Sequence, residues 1–306
     1  MDSFLKLGTR GSPLALAQAH MAAMALEVAH HWLDGRVQTV TIKTSGDKVQ
    51  DRPLADIGGK ALWTKELDAA LLKGETQASV HSMKDVETIR PESLCLAAVL
   101  PRADVRDRLV GAKSIDALKH GAVVGTSSPR RAAQLLRLRP DLRIVTFRGN
   151  LGTRLAKLEA GEVDATLLAA AGLERLGQGK VGTPIPIDVM LPAPGQGAIG
   201  IECRLEDQET LSRLSRVNDH QTSAAVKAER AFARALGGSC HSPVGAFAEI
   251  KASQVHLRAE ILSEDGKDRV ADEARFKLDD EGAAAALARK MLAEAPDSIR
   301  RLFTGA

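Results

Sequence analysis

Residues 122–150 read AVVGTSSPRRAAQLLRLRPDLRIVTFRGN. The short apolar run Ala122–Val124 is predicted as a strand. The polar turn GTSSPRR (125–131) follows, with Ser128 placed to cap a helix and Pro129 at its first position. A helical pattern runs from Pro129 to Arg137. A second strand-like run, Arg143–Phe147, ends in the polar turn RGN (148–150). Strand, capped helix and strand in succession are the unit from which parallel sheets are built.

The same unit recurs on both sides of this stretch. Further strands are predicted at Phe4–Leu7, Thr39–Lys43, Ala78–His81, Leu94–Val99, Ala165–Ala169 and Ala198–Cys203. Further helices are predicted at Pro13–Ala29, Lys60–Lys73, Ile115–Leu118, Gly152–Ala160 and Gly172–Leu176. The fold class is therefore α/β, with largely parallel sheets. The segment TPIPIDVMLPAPGQG (183–197) reads as a crossing linker. Beyond residue 218 the pattern changes to one long helix (219–236), three strands (244–250, 255–262, 269–276) and an Ala-rich helix (280–293). That is the pattern of a small α+β domain. The sequence shows no internal repeat.

Composition narrows the function. Aromatic residues make up only 3% of the chain and Tyr is absent, so a base-stacking surface is not expected. A net charge of +3 likewise argues against a nucleic-acid binder. No stretch approaches the ~20 apolar residues of a membrane span, and MDSFLKLGTR (1–10) lacks a signal-peptide layout. A cytoplasmic protein with reduced thiols is expected. Cys95, Cys203 and Cys240 are far apart with no CxxC pair, which speaks against structural zinc or a disulfide framework. Cys95 and Cys203 lie in apolar strands and read as small buried hydrophobes. Cys240 sits among turn formers in GGSCHSPVG (237–245), where a thiol can be exposed and reactive or simply part of a loop, and no triad partner is evident near it.

Polar residues cluster just after the predicted strands, in GTRGSP (8–13), TSGD (44–47), SMKD (82–85), GTSSPRR and RGN. In open α/β sheets ligands bind outside the carboxyl ends of the strands. Ser12-Pro13 and Ser128-Pro129 are two helix starts, whose free N–H groups favour anions. Either alone is common capping. Arg10 stands beside the first. From Thr126 to Arg154 there are seven Arg (130, 131, 137, 139, 143, 148, 154), no Lys and one acid, Asp141. A basic run can be a solvated face, but planar guanidinium forks suit carboxylate or phosphate. Neither a GxGxxG fingerprint nor a P-loop is present. In VHSMKDVE (80–87), Asp85 beside Lys84 could stabilise a developing cation or pass protons, or be half of a structural ion pair. His81 reads as a packed strand residue, and His241 as a neighbour of the thiol or a surface loop residue. The polar segment 44–60, closed by Lys60, reads as a lid.

The ordered set TRGSPLALAQA, KTSGD, GGKALWTKEL, VHSMKDV, GTSSPRR, RGNLGTRLAKL, LPAPGQGAIGIECR and the loop cysteine resembles the porphobilinogen deaminase (hydroxymethylbilane synthase) family. The resemblance covers nearly the whole chain and is weakest over the last sixty or so residues. It implies a transferase that condenses four porphobilinogen molecules, with loss of ammonia, into the linear tetrapyrrole hydroxymethylbilane. The reaction would proceed on a dipyrromethane cofactor held by a thioether to Cys240. Asp85 would be catalytic. Lys84, Ser82, Thr126, Ser128, Arg130, Arg131, Arg148 and Gly149 would bind the cofactor. Arg10, Ser12, Lys60, Arg148 and Arg154 would bind substrate, and Trp63 would pack. No metal is implied.

The resemblance also implies three domains: two periplasmic-binding-protein-like α/β domains flanking a cleft (1–99 with 198–216, and 100–197) and an α+β domain at 217–306 bearing the cofactor cysteine. A monomeric cytoplasmic enzyme is expected, with its product passed to uroporphyrinogen-III synthase. The competing reading is a non-catalytic two-domain module that captures a polycarboxylate. The added domain with its placed thiol argues against it.

Overall fold

The structure is a computed structural model, and it describes residues 4–44, 64–237 and 242–303. The elements begin with β1 (Leu5–Arg10), α1 (Pro13–His30), β2 (Val37–Ile42), α2 (Lys65–Leu72), β3 (Ala78–Ser82), a one-turn 3-10 helix (Met83–Asp85) and β4 (Leu94–Val99). Next come β5 (Asp107–Val110), β6 (Val123–Gly125), α3 (Pro129–Leu138), β7 (Arg143–Val145), α4 (Leu151–Glu159), β8 (Ala165–Ala169), α5 (Ala170–Arg175) and β9 (Thr183–Pro184). The chain continues with β10 (Ile199–Arg204), α6 (Gln208–Ser215) and α7 (His220–Leu236). It ends with β11 (Val244–Lys251), β12 (Gln254–Leu262), β13 (Arg269–Lys277), α8 (Glu281–Glu294) and α9 (Asp297–Arg300).

These elements form two compact units. The first comprises residues 1–103 and 198–223, the second 104–197 and 224–306. The first unit has one sheet, ordered β2-β1-β3-β10-β4. Strands β1, β2 and β3 run parallel, and β10 runs against both β3 and β4. Helix α1 packs on this sheet through Ala19, Ala22, Ala23 and Leu26. Their i, i+3, i+4, i+7 spacing makes one apolar stripe, and three alanines let the helix lie close. Glu27 is buried on α1 and accepts from the backbone N–H groups of Gly35 and Val37, which fixes the start of β2.

The second unit has two sheets. One is ordered β7-β6-β8-β5-β9. Here β6, β7 and β8 are parallel, and β5 runs against β8 and β9. The other is the antiparallel sheet β11-β12-β13. Its core joins Ala246, Leu257 and Ile261 to Phe232 of α7 and to Leu287 and Met291 of α8.

The two five-stranded sheets share one plan: three parallel strands, one reversed strand and an edge strand. In each, the reversed strand is the first to follow a crossing of the chain between units, β10 after residue 197 and β5 after residue 103. The sheets are therefore mixed rather than largely parallel. Strand β5 escapes a pattern reading because it opens on the charged pair Asp107-Arg108. The expected helix at Ile115–Leu118 is a turn. Both end residues are buried, but four residues are too few to sustain a helix. The expected helix at Lys60–Lys73 is described from Lys65 onward, as α2.

Candidate functional site

In the first unit a pocket opens at the carboxyl ends of β1 and β3. Arg10, Ser12, Gln18, Ser82 and Asp85 line it, with Thr64 and His81 among its other walls. Arg10 is the last residue of β1, and Ser12 caps α1 by accepting from Ala15 N–H at 3.3 Å. Ser82 ends β3, and the 3-10 helix that follows carries Lys84 and Asp85. Two adjacent parallel strands thus deliver four of the expected residues to one place. Gln18 was not among them. It is buried in α1, and its amide meets the Ser82 hydroxyl with Nε2 at 2.8 Å and Oε1 at 3.1 Å. Its only sequence signal is a polar residue on the sheet-facing stripe of α1.

Charged side chains are gathered in the wall behind Thr64 and His81. Arg90 donates to both oxygens of Glu202, at 3.0 and 2.8 Å, and also to Asp68 and Thr64. His81 Nε2 lies 3.3 Å from Glu202 Oε2. Burial pushes the Glu202 carboxyl upward, but His81 and Arg90 overcome it and hold the group at about 2. Burial also lowers the Arg90 guanidinium, and Glu202 and Asp68 more than reverse that. Asp68 goes the other way: burial raises it and Arg90 only partly compensates.

In the second unit the turn after β6 and the turn after β7 lie side by side. Thr126 N–H donates to Val145 O, and the Ser127 hydroxyl donates to Phe147 O. Ser128 caps α3 by accepting from Arg131 N–H, and Asn150 caps α4 by accepting from Thr153 N–H. Two helix N-termini are thus paired with Arg148 and Gly149 in one loop cluster. Gly149 has φ +120°, and a Cβ there would lie 2.7 Å from the Thr153 side chain; both features require glycine. Arg154 donates through Nε to Gly149 O at 3.0 Å, bringing its guanidinium to the same turn. Thr126 is buried, and its hydroxyl accepts from Ser128 N–H, so it shapes the turn.

Arg130 and Arg131 are expected to receive ligand carboxylates. In the structure their Nη groups turn inward, while both buried Nε atoms have no hydrogen-bond partner. Arg130 Nη2 and Arg131 Nη2 grip the two oxygens of Asp107 at 2.8 and 2.7 Å. Gln196 also donates to Asp107, and Arg130 Nη1 reaches Gln134 and Leu191 O. The Asp107 carboxyl is desolvated, yet the two guanidiniums drive it far below the ordinary carboxylate range. The cluster anchors the start of α3 onto β5 and the 191–196 segment.

Arg175 ends α5, and a cation in the last turn of a helix carries no ligand signal in the sequence. In the structure Nη2 donates to Gly197 O, while the buried Nε has no hydrogen-bond partner. Burial drives this guanidinium down to about 10, only weakly opposed by Glu174. A partly desolvated cation with an unmatched donor suits an anionic ligand. The helix starts of α3 and α4 with Arg148 and Arg154 give the second unit a donor set fitting a polycarboxylate such as a dipyrromethane.

Residues 5–212 match the model of the porphobilinogen deaminase, dipyrromethane cofactor binding domain, and residues 223–295 that of the porphobilinogen deaminase C-terminal domain. The chain belongs to the porphobilinogen deaminase family. Porphobilinogen deaminase of Sphingopyxis alaskensis is 56% identical, covering 99% of this chain and 97% of that protein. The protein of the same name from Nitrobacter hamburgensis is 46% identical, covering 100% and 98%. A chloroplastic porphobilinogen deaminase from Oryza sativa is 49% identical, covering 86% and 75%. Members of the porphobilinogen deaminase family are transferases of tetrapyrrole biosynthesis with a dipyrromethane cofactor.

Among solved structures, a TRAP periplasmic solute binding protein from Desulfovibrio salexigens is 12% identical with a TM-score of 0.43, covering 72% of this chain and 74% of that one. The Bordetella pertussis BvgS periplasmic VFT2 domain is 16% identical with a TM-score of 0.39, covering 70% and 86%. Scores this low add nothing to the fold read from the sheets. Among the described residues no helix is long and apolar enough to cross a membrane. Lys60, Trp63, Cys240, His241 and most of the 44–60 lid lie outside the described residues.

Proposed function

We propose that this chain condenses four porphobilinogen molecules into hydroxymethylbilane, with Asp85 as its catalytic carboxylate and Cys240 as the covalent anchor of the cofactor. The observation that carries the reading is the placing of Asp85 in one pocket with Arg10, Ser12 and Ser82. Porphobilinogen bears two carboxylates and an aminomethyl group that leaves as ammonia. Arg10 and the positive dipole end of α1 suit the carboxylates. Asp85 is then placed to stabilise the positive charge that develops on the substrate as ammonia leaves, and to pass protons. Gln18 holds the Ser82 hydroxyl, and the Met83–Asp85 helix fixes the backbone that carries Asp85.

When bound, the dipyrromethane supplies the primer pyrrole to which substrate is joined. In the second unit Ser128, Arg148, the Gly149 backbone, Arg154 and Arg175 would hold carboxylates of cofactor and growing chain. Arg130 and Arg131 would support them from beneath through Asp107. Lys84 and Lys60 complete the proposed set as cations for cofactor and substrate. The three-domain division, a monomeric state, a cytoplasmic location and hand-over of product to uroporphyrinogen-III synthase are part of the proposal and rest on the resemblance.

Intact-mass spectrometry tests it. The purified protein should carry a dipyrromethane adduct that maps to Cys240 and is missing from Cys240→Ser. It should release ammonia from porphobilinogen. An active protein of unmodified mass, or a normally loaded Cys240→Ser variant, would overturn the anchor.

A further inference from the structure

Two thiols face each other in the first sheet, outside the pocket. Cys203 on β10 stands directly opposite Cys95 on the antiparallel edge strand β4, and their Sγ atoms are 3.8 Å apart. Opposed residues on an antiparallel ladder have Cα atoms about 4.5–5.5 Å apart, inside the ~4.4–6.8 Å range that a disulfide spans. Joining the sulfurs therefore calls for side-chain rotation and no change of strand register. The two differ in access: Cys203 is buried in the core, whereas Cys95 is partly exposed.

We propose that Cys95 and Cys203 form a reversible oxidation site for a peroxide. The Cys95 thiolate attacks one peroxide oxygen, the O–O bond breaks, water leaves, and Cys95 becomes a sulfenic acid. The Cys203 sulfur then attacks the Cys95 sulfur, the S–O bond breaks, and a second water leaves as the disulfide forms. Two thiols lose two electrons and two protons, and the peroxide is reduced to two waters. A small thiol reductant reverses the step by exchange. The shared hydrogen bond supports this order, since it lowers the Cys95 thiol and, together with burial, raises that of Cys203. The thiol of the more accessible residue, Cys95, is thus the more easily ionised, and that of buried Cys203 resolves.

The pair has a topological consequence. The cysteines are 108 positions apart, and the whole segment 104–197 of the second unit lies between them. A disulfide would tie together the strands from which that segment leaves the first unit and to which it returns.

The test uses the purified full chain, treated with hydrogen peroxide and digested without reductant. A peptide cross-linked between Cys95 and Cys203 should appear, lighter by two hydrogens than its parts, and vanish on treatment with dithiothreitol. In Cys203→Ala, dimedone should label Cys95; in Cys95→Ser, it should leave Cys203 unlabelled. Failure of the wild-type chain to cross-link, with Cys95 driven instead to sulfinic acid, would overturn the proposal. So would dimedone labelling of Cys203 in place of Cys95. Mapping by peptide keeps these outcomes separate from whatever Cys240 carries.

Discussion

Gly200 on β10 lies directly beneath Met83, the first residue of the 3-10 helix that carries Asp85. A Cβ on Gly200 would collide with Met83 Sδ and come within 2.8 Å of Leu96 Cδ1. Met83 is buried, and its N–H donates to Ala198 O. The glycine therefore sets how deeply the Asp85 turn seats on the sheet. Gly200→Ala is expected to lift that turn. Overpacking of this kind costs about 1–3 kcal/mol, seen as a lower unfolding midpoint. A fall in kcat larger than any rise in KM should accompany it. Wild-type kcat would uncouple Gly200 from the site.

Asp85→Asn preserves shape while removing the charge and replacing one acceptor oxygen with a donor. The variant is expected to fold and to retain its cofactor mass, with turnover reduced by at least about 100-fold. Rapid-quench measurement of ammonia release separates this from a binding defect. Near-normal release would remove Asp85 from the chemistry.

Glu202 offers a pH signature. Its carboxyl stands at about 2 in the folded chain against an ordinary 4.5. As pH falls, the unfolded chain takes up this proton first, so stability is full above about 4.5 and is lost as pH falls toward 2. A shift of this size is worth on the order of 3 kcal/mol. Denaturant unfolding between pH 5 and about 2.5 should show the loss, and Glu202→Gln should flatten the slope over that window. An unchanged slope would mean that His81 and Arg90 do not stabilise the carboxylate.

The arginines should separate by phenotype. Arg130→Lys loses fork contacts to Asp107, Gln134 and Leu191 O, so its main effect should be on unfolding. Asp107→Asn leaves two buried guanidiniums without their carboxylate, a change that costs about 3–5 kcal/mol. Arg148 is less buried than Arg130, so Arg148→Lys should cost less stability and act mainly by lowering cofactor loading or chain growth, because a point charge replaces a fork. Chemical denaturation and intact mass on the same preparations check both. Equal stability losses in Arg130→Lys and Arg148→Lys would erase the distinction.

The sequence by itself determined the local structure. Ser12-Pro13 and Ser128-Pro129 start helices because capping and the proline φ are properties of neighbouring residues. The strand at Ala78–Ser82 and the turn after it follow from an apolar run meeting polar residues, which put Asp85 at a carboxyl end. The separate sheet of residues 244–277 was legible for the same reason. Tertiary structure alone decided which strands run backwards and where each charge goes. Arg130 answers to Asp107, 23 positions away; Ser82 to Gln18, 64 away; and Arg90 to Glu202, 112 away. Periodicity and capping act within a few residues. Ion pairs and buried hydrogen bonds are chosen by which side chains the fold desolvates together, so Arg130 and Arg131 meet on Asp107, and two strand cysteines become a facing pair.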